Sequence, residues 1–346
     1  MSHFKIILVF SFFWLIACSK EDVPVTTDFS KGIYVVNEGP FNSGTGTITY
    51  RDAIDTIQDV FGRQNAGKSL GNIAQSMIKF DDKYYVSINN GAKIQVINSK
   101  DFKSVTEISG IDAPRFFATD NKKLYVSAWG KDLNSGKVYE INTITQKLSA
   151  PIETGGAPEA MTIHNDKLYV TVSTNDTQNI SKKVIVIDIK NNSVIKSIET
   201  SDIPTAIVKD KNGDLWVLCS GFFDWTNPAL NTNGGLHKIT NDQLTASFSL
   251  SNGAKGLAID NKGEKLFFLM DSKVIVHDIT DETFKNESVY DGNFYSIGYH
   301  TGKGEIYLSD AGDFQSNGQV ITIDPLTKKA GRFTAGIIPG FFYFVD

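Results

Sequence analysis

The chain has 346 residues, 41% hydrophobic and 21% charged, with 34 basic against 39 acidic groups and a formal net charge of −5. That balance argues against nucleic acid or an anionic lipid surface as the main partner, because both would be repelled. The five histidines, His3, His164, His237, His277 and His300, stand at no metal-ligand spacing from one another, so a metal site has no support.

In chain order the first element is an apolar run, Ile6 to Ala17, preceded by Lys5. It is too short to cross a bilayer and suits the core of a signal peptide. It ends in Leu15-Ile16-Ala17-Cys18, which resembles the lipobox of bacterial lipoproteins. The resemblance implies that residues 1–17 are removed and that Cys18 becomes a lipidated first residue. The next stretch, "CSKED" from Cys18 to Asp22, resembles the signal that sends some Gram-negative lipoproteins to the outer face of the outer membrane. Residues 18–30 also read as a flexible tether. Loss of Lys5 leaves 33 basic against 39 acidic groups, a mature charge of −6. With Cys18 lipidated, Cys219 is the remaining thiol and no intrachain disulfide is expected. It lies in the strand-like run "LWVLCS" and is expected to be buried.

From about Lys31 onward the chain repeats itself. A short strand centred on an aromatic residue recurs at Tyr34, Tyr85, Tyr125, Tyr169, Trp216, Phe267 and Tyr307, at separations of 51, 40, 44, 47, 51 and 40 residues. That is the period of a four-stranded propeller blade. A second β-branched strand follows each, as in "KIQVI" from Lys93 or "KVIVIDI" from Lys183, then a weaker polar one. The strands are bounded by Gly, Asn and Asp turns, and no long helical periodicity competes. The strand before each aromatic one ("APRFFAT", "APEAMTI", "IPTAIVK") is missing before Tyr34, whereas the C-terminal "IPGFFYFVD" has this character with nothing after it. Pairing Phe341 to Val345 beside Ile33 to Asn37 closes the ring and leaves no long exposed sheet edge. The expectation is therefore an all-β fold, one seven-bladed β-propeller over residues 31–346.

The "LYVS/LYVT" strands and the later "VIVIDI" strands resemble the YVTN/YncE-like propeller repeats. Together with "CSKED", they resemble a subgroup of surface-exposed lipoproteins that bind cobalamin and partner an outer-membrane TonB-dependent cobalamin transporter. That resemblance implies a non-catalytic protein on the cell exterior with a corrinoid as ligand rather than cofactor.

The residues themselves locate a binding face. Aligning the innermost strands puts Gln75, Arg115, Glu159, Thr205, Lys255, Tyr295 and Gly340 around the mouth of the central channel. The loops between the second and third strands share that face. Two are short ("NNGA" from Asn89 and "MDS" from Met270), and the longest, Ser220 to Gly235, carries Phe222, Phe223 and Trp225. Phe41 with Asn42, Trp129 and Phe314 occupy comparable places in other loops. Apolar rings in polar loops forgo about 1.5–3 kcal/mol each if left in water, so they are expected under the loop or presented to a ligand. A rim of rings edged with amides suits a broad, flat, partly apolar ligand. A corrinoid has that shape, and so have the sugar faces of an oligosaccharide. A lactonase-type hydrolase would instead need carboxylates converging on a metal. Glu159 is the single acid of the ring and Arg115 and Lys255 oppose a cation there. The glycine-rich "NEGPFNSGTG" from Asn37 joins two strands rather than feeding a helix, so it is no phosphate cradle.

Overall fold

The computed structural model describes residues 27–346. The expected signal peptide, Cys18 and most of the tether lie outside the described residues.

Seven antiparallel sheets follow one another around a ring. Blades 2 to 7 begin at Ala74, Pro114, Pro158, Pro204, Lys255 and Ser296, and each starts with its innermost strand. Blade 1 is composite. Gly32–Asn37 pairs on one side with Thr47–Arg51 and on the other with Pro339–Val345, with Val36 opposite Phe341 and Gly32 opposite Val345. The ring closes as the unmatched C-terminal strand requires.

The repeated aromatic residue explains why the blades stack. The core divides into seven clusters, each shared by two neighbouring blades. Tyr34, Tyr85, Tyr125, Tyr169, Trp216, Phe267 and Tyr307 each enter a different cluster and are all buried. Each ring fills the gap to the next blade, which is worth about 3–5 kcal/mol against truncation to alanine. Cys219 is buried as expected, and burial pushes its thiol up to about 12.

The serine or threonine of the motif has a separate task. In six blades the register slips by a residue or more near the start of the innermost strand, or its C-terminal equivalent in blade 1. Such a bulge strands backbone groups and re-aims side chains. The Ser87 hydroxyl accepts from the Ser76 amide at 3.1 Å and donates to the Arg115 carbonyl of the next blade at 2.6 Å. Ser127 does the same for the Phe116 amide (3.1 Å) and the Glu159 carbonyl (2.8 Å). One hydroxyl thus satisfies the bulge of its own blade and pins the mouth residue of its neighbour.

The regular repeat did not anticipate three details. A one-turn helix, Val60–Gln64, sits in the long connection from blade 1 to blade 2, capped by the Asp59 carboxylate. Blade 3 has a broken outer strand, Lys147–Leu148 and Ile152–Glu153. The blade 4 loop holds a small hairpin of Asn175–Asp176 against Asn179–Ile180.

Candidate functional site

The channel mouth is built by backbone that is unusual in the same way around the ring. Ile73, Ala113, Ile203 and Ile338 precede an innermost strand with φ of +59°, +50°, +57° and +55°. Left-handed backbone is costly for β-branched residues and persists where the surroundings impose it, commonly at functional sites. Here the carbonyl freed by the twist accepts the amide that follows the second strand: Asn89 (2.8 Å), Trp129 (3.0 Å), Ser220 (2.9 Å) and Glu38 (2.9 Å). Each of these four loops is therefore locked to the strand that delivers a mouth residue.

Three of the expected mouth residues meet. The Arg115 guanidinium donates through Nε to Glu159 at 2.9 Å and through its two other nitrogens to Glu159 and Gln75. Glu159 also accepts from Trp129 Nε1 at 2.8 Å, and the Arg115 guanidinium carbon lies over the Trp129 ring at 3.9 Å from its centre. Both charged side chains are nearly buried. Trp129, expected on the rim, is half-buried and belongs to this floor instead.

On the opposite side of the mouth, Tyr295 donates to Glu38 at 3.0 Å, packs edge-on against Phe314 at 5.7 Å, and carries the Lys255 ammonium 5.7 Å from its ring centre. Glu38 escaped the sequence reading although it immediately follows a repeat strand. Blade 1 has Gly340 at the ring position, and a Cβ there would come within 2.5 Å of the Glu38 carboxylate. The missing side chain makes room for an acid from the adjacent loop. Burial raises the pKa of Glu38, while the Tyr295 hydrogen bond and the charge of Arg115 work against the shift. Burial and that same carboxylate push the Tyr295 hydroxyl up. Thr205 and Gly340 stand at their expected ring positions but add no charged group.

The rim sorts the remaining aromatic residues. Phe222 is 3% exposed, buried beneath its own loop, which removes it from the candidate binding set. Its backbone explains why: the Phe222 amide donates to Thr232 Oγ1 and its carbonyl accepts from Thr232 and from Asn252, which folds the ring inward. Trp225, by contrast, is 87% exposed and pairs edge-on with the exposed Phe223 at 4.7 Å. The loop that carries them is stiffened by its own bonds, with Asp224 accepting from the amides of Thr226 (2.7 Å) and Asn227 (3.1 Å). Phe41 is 71% and Phe314 46% exposed. Asn42, at φ +61°, accepts from Asn72 (3.2 Å) and Asn90 (2.8 Å), which leans the blade 1 loop over blade 2.

Among the described residues, no three His, Cys, Asp or Glu side chains converge as a metal site would require. No described helix is long and apolar enough to cross a membrane.

Residues 31–344 match the family described as Domain of unknown function (DUF5074). The chain belongs to that family. No curated protein matches it. Among solved structures, the DUF5074 propeller is similar to the hydrazine synthase of Kuenenia stuttgartiensis, at 16% identity and a TM-score of 0.54, over 70% of this chain and 73% of that one. It is also similar to apo AztD from Citrobacter koseri, at 11% identity and a TM-score of 0.54, over 90% and 96% of the two chains. At these identities the likeness is one of fold, and fold alone carries no function.

Proposed function

We propose that this DUF5074 propeller is a non-catalytic surface lipoprotein that captures a corrinoid such as cobalamin on its loop-rich face. It then passes the ligand to an outer-membrane TonB-dependent transporter. The observation that carries the reading is the set of apolar rings held in water on one face: Trp225 and Phe223 from blade 5, Phe314 from blade 7 and Phe41 from blade 1. Scattered exposed apolar residues are ordinary, but rings gathered around a channel mouth on pre-stiffened loops are what a binding face offers. The ordering cost of the blade 5 loop is met before the ligand arrives, which favours affinity. The lipobox and the "CSKED" stretch support the placement on the cell exterior.

Isothermal calorimetry with cyanocobalamin at micromolar protein tests the reading. Saturable heat that weakens at least tenfold in Trp225→Ala is expected. No heat and no co-elution on gel filtration would overturn it. Binding on a glycan array with no cobalamin heat would move the function to carbohydrate capture.

A further inference from the structure

The rim has one low point. Two blades have short turns between their second and third strands. The turn of blade 2 is roofed by Asn42, whose side-chain oxygen bonds Asn90 in that turn. Among the described residues, no hydrogen bond from the long loops of blades 5 or 7 reaches the turn of blade 6, Asp271–Ser272. A cleft of about 160 Å³ opens there, lined by Lys255, Leu269, Met270, Asp271, Lys273 and Phe294.

Two features of this notch call for a ligand group. Lys255 and Lys273 both line the notch, and among the described residues neither ammonium has a carboxylate within 4.0 Å. Among the described residues, thirteen other lysine, arginine and histidine side chains do form such pairs, and one is the mouth residue Arg115. The one acid in the notch, Asp271, is held instead by Ser251 Oγ at 2.9 Å. Lys255 is exposed at the mouth, so its ammonium is open to an anion, while the protein packed around its stem lowers its pKa. The apolar floor of Leu269 and Met270 and the Phe294 ring lower the local dielectric, which strengthens that attraction.

We propose that the notch above blade 6 is an oxyanion subsite at the edge of the rim. It would take a phosphoryl or phosphodiester group of the bound molecule between Lys255 and Lys273, while the body of that molecule lies across the aromatic rim. Lysine serves such groups as a point charge and needs no bidentate geometry. The subsite rests on the rim being a ligand-binding face, and it explains why the wall of loops is lowest where two unpaired cations stand.

The full mature chain is compared with Lys255→Met and Lys273→Met by two probes. Inorganic pyrophosphate is titrated while the backbone amides of Asp271, Ser272 and Gly292 are followed by NMR. Saturable shifts are expected in the wild type and absent in both variants, with melting temperatures close to wild type, because neither ammonium has a carboxylate partner among the described residues and Lys255 gives up only a long contact with the Tyr295 ring. Cyanocobalamin, which carries a phosphodiester, is compared with dicyanocobinamide, which lacks it. Lys255→Met is expected to weaken the first about tenfold and the second less than twofold. Equal weakening of both corrinoids, or pyrophosphate shifts that never saturate, would overturn the subsite. If neither corrinoid binds the wild type, the corrinoid reading falls and the pyrophosphate titration alone decides the notch.

Discussion

Replacing Glu159 with glutamine removes the charge at the centre of the channel mouth and little else. The carboxylate accepts from Arg115 Nε, from a second guanidinium nitrogen and from Trp129 Nε1, and only about a tenth of either charged side chain is exposed. A glutamine keeps one acceptor oxygen but turns an amide NH2 toward guanidinium donors, leaving Arg115 largely buried without its directly bonded carboxylate. Breaking such a pair costs about 3–5 kcal/mol, and residual exposure places this one near ~3 kcal/mol. At about 2.1 cal/mol/K per residue over a chain of this length, that lowers the melting temperature by about 4 °C. The double variant Arg115→Met with Glu159→Leu removes both charges together and should recover most of the loss, since well-packed apolar replacements of a buried pair are often neutral. Differential scanning fluorimetry of Arg115→Met, Glu159→Leu and the double variant gives the coupling. A Glu159→Gln protein melting within 1 °C of wild type, or a double variant as unstable as the singles, would refute a desolvated, mutually dependent pair.

Three further outcomes follow from the geometry. Phe222→Ala should destabilise by about 3 kcal/mol, as for a buried ring, whereas Trp225→Ala should stay within about 0.5 kcal/mol; guanidinium denaturation separates them. His237 accepts the Ser201 amide at 3.0 Å, and burial pushes its pKa down to about 4. The unfolded chain therefore takes up a proton that the folded state refuses, so the stability is complete above pH ~6.5 and declines as pH falls toward 4. His237→Gln should lose on the order of 2–3 kcal/mol less than wild type between pH 7 and pH 4, measured by urea titration at each pH, and equal losses would remove His237 as the sensor. Ala113→Gly should be neutral or stabilising by up to about 1 kcal/mol, because the left-handed backbone there suits glycine. A loss above 1 kcal/mol in thermal melts would mean the methyl packs more than the twist costs.

The blades were legible because each repeats one physical solution. An aromatic ring fills the gap to the next blade, and that requirement recurs with each unit, so the spacing of Tyr34, Tyr85 and their equivalents marks seven interfaces before any contact is known. Ring closure was legible for a related reason: an unmatched inner strand at one end and an unmatched partner at the other have a single economical pairing. Alignment likewise placed Gln75, Arg115, Glu159 and Tyr295 at one mouth, because inner strands in register must converge on the axis. What alignment lacked was who bonds whom. Arg115 turns toward Glu159 and Gln75 because bulges re-aim these positions and Ser87 and Ser127 pin the two charged residues' carbonyls. Trp129 drops to the floor because its own amide is tied to Ala113. Phe222 turns inward and Trp225 outward although only two residues separate them, because hydrogen bonds across the loop, invisible in composition, fix the backbone between them. Glu38 fills the space left by Gly340, a vacancy that exists only once the two ends of the chain lie side by side. The sequence by itself thus determined the period, the interfaces and the face, all set by local patterns that repeat. Only the tertiary structure decided the site's pairings and its one open notch, since those depend on contacts between blades far apart in the chain.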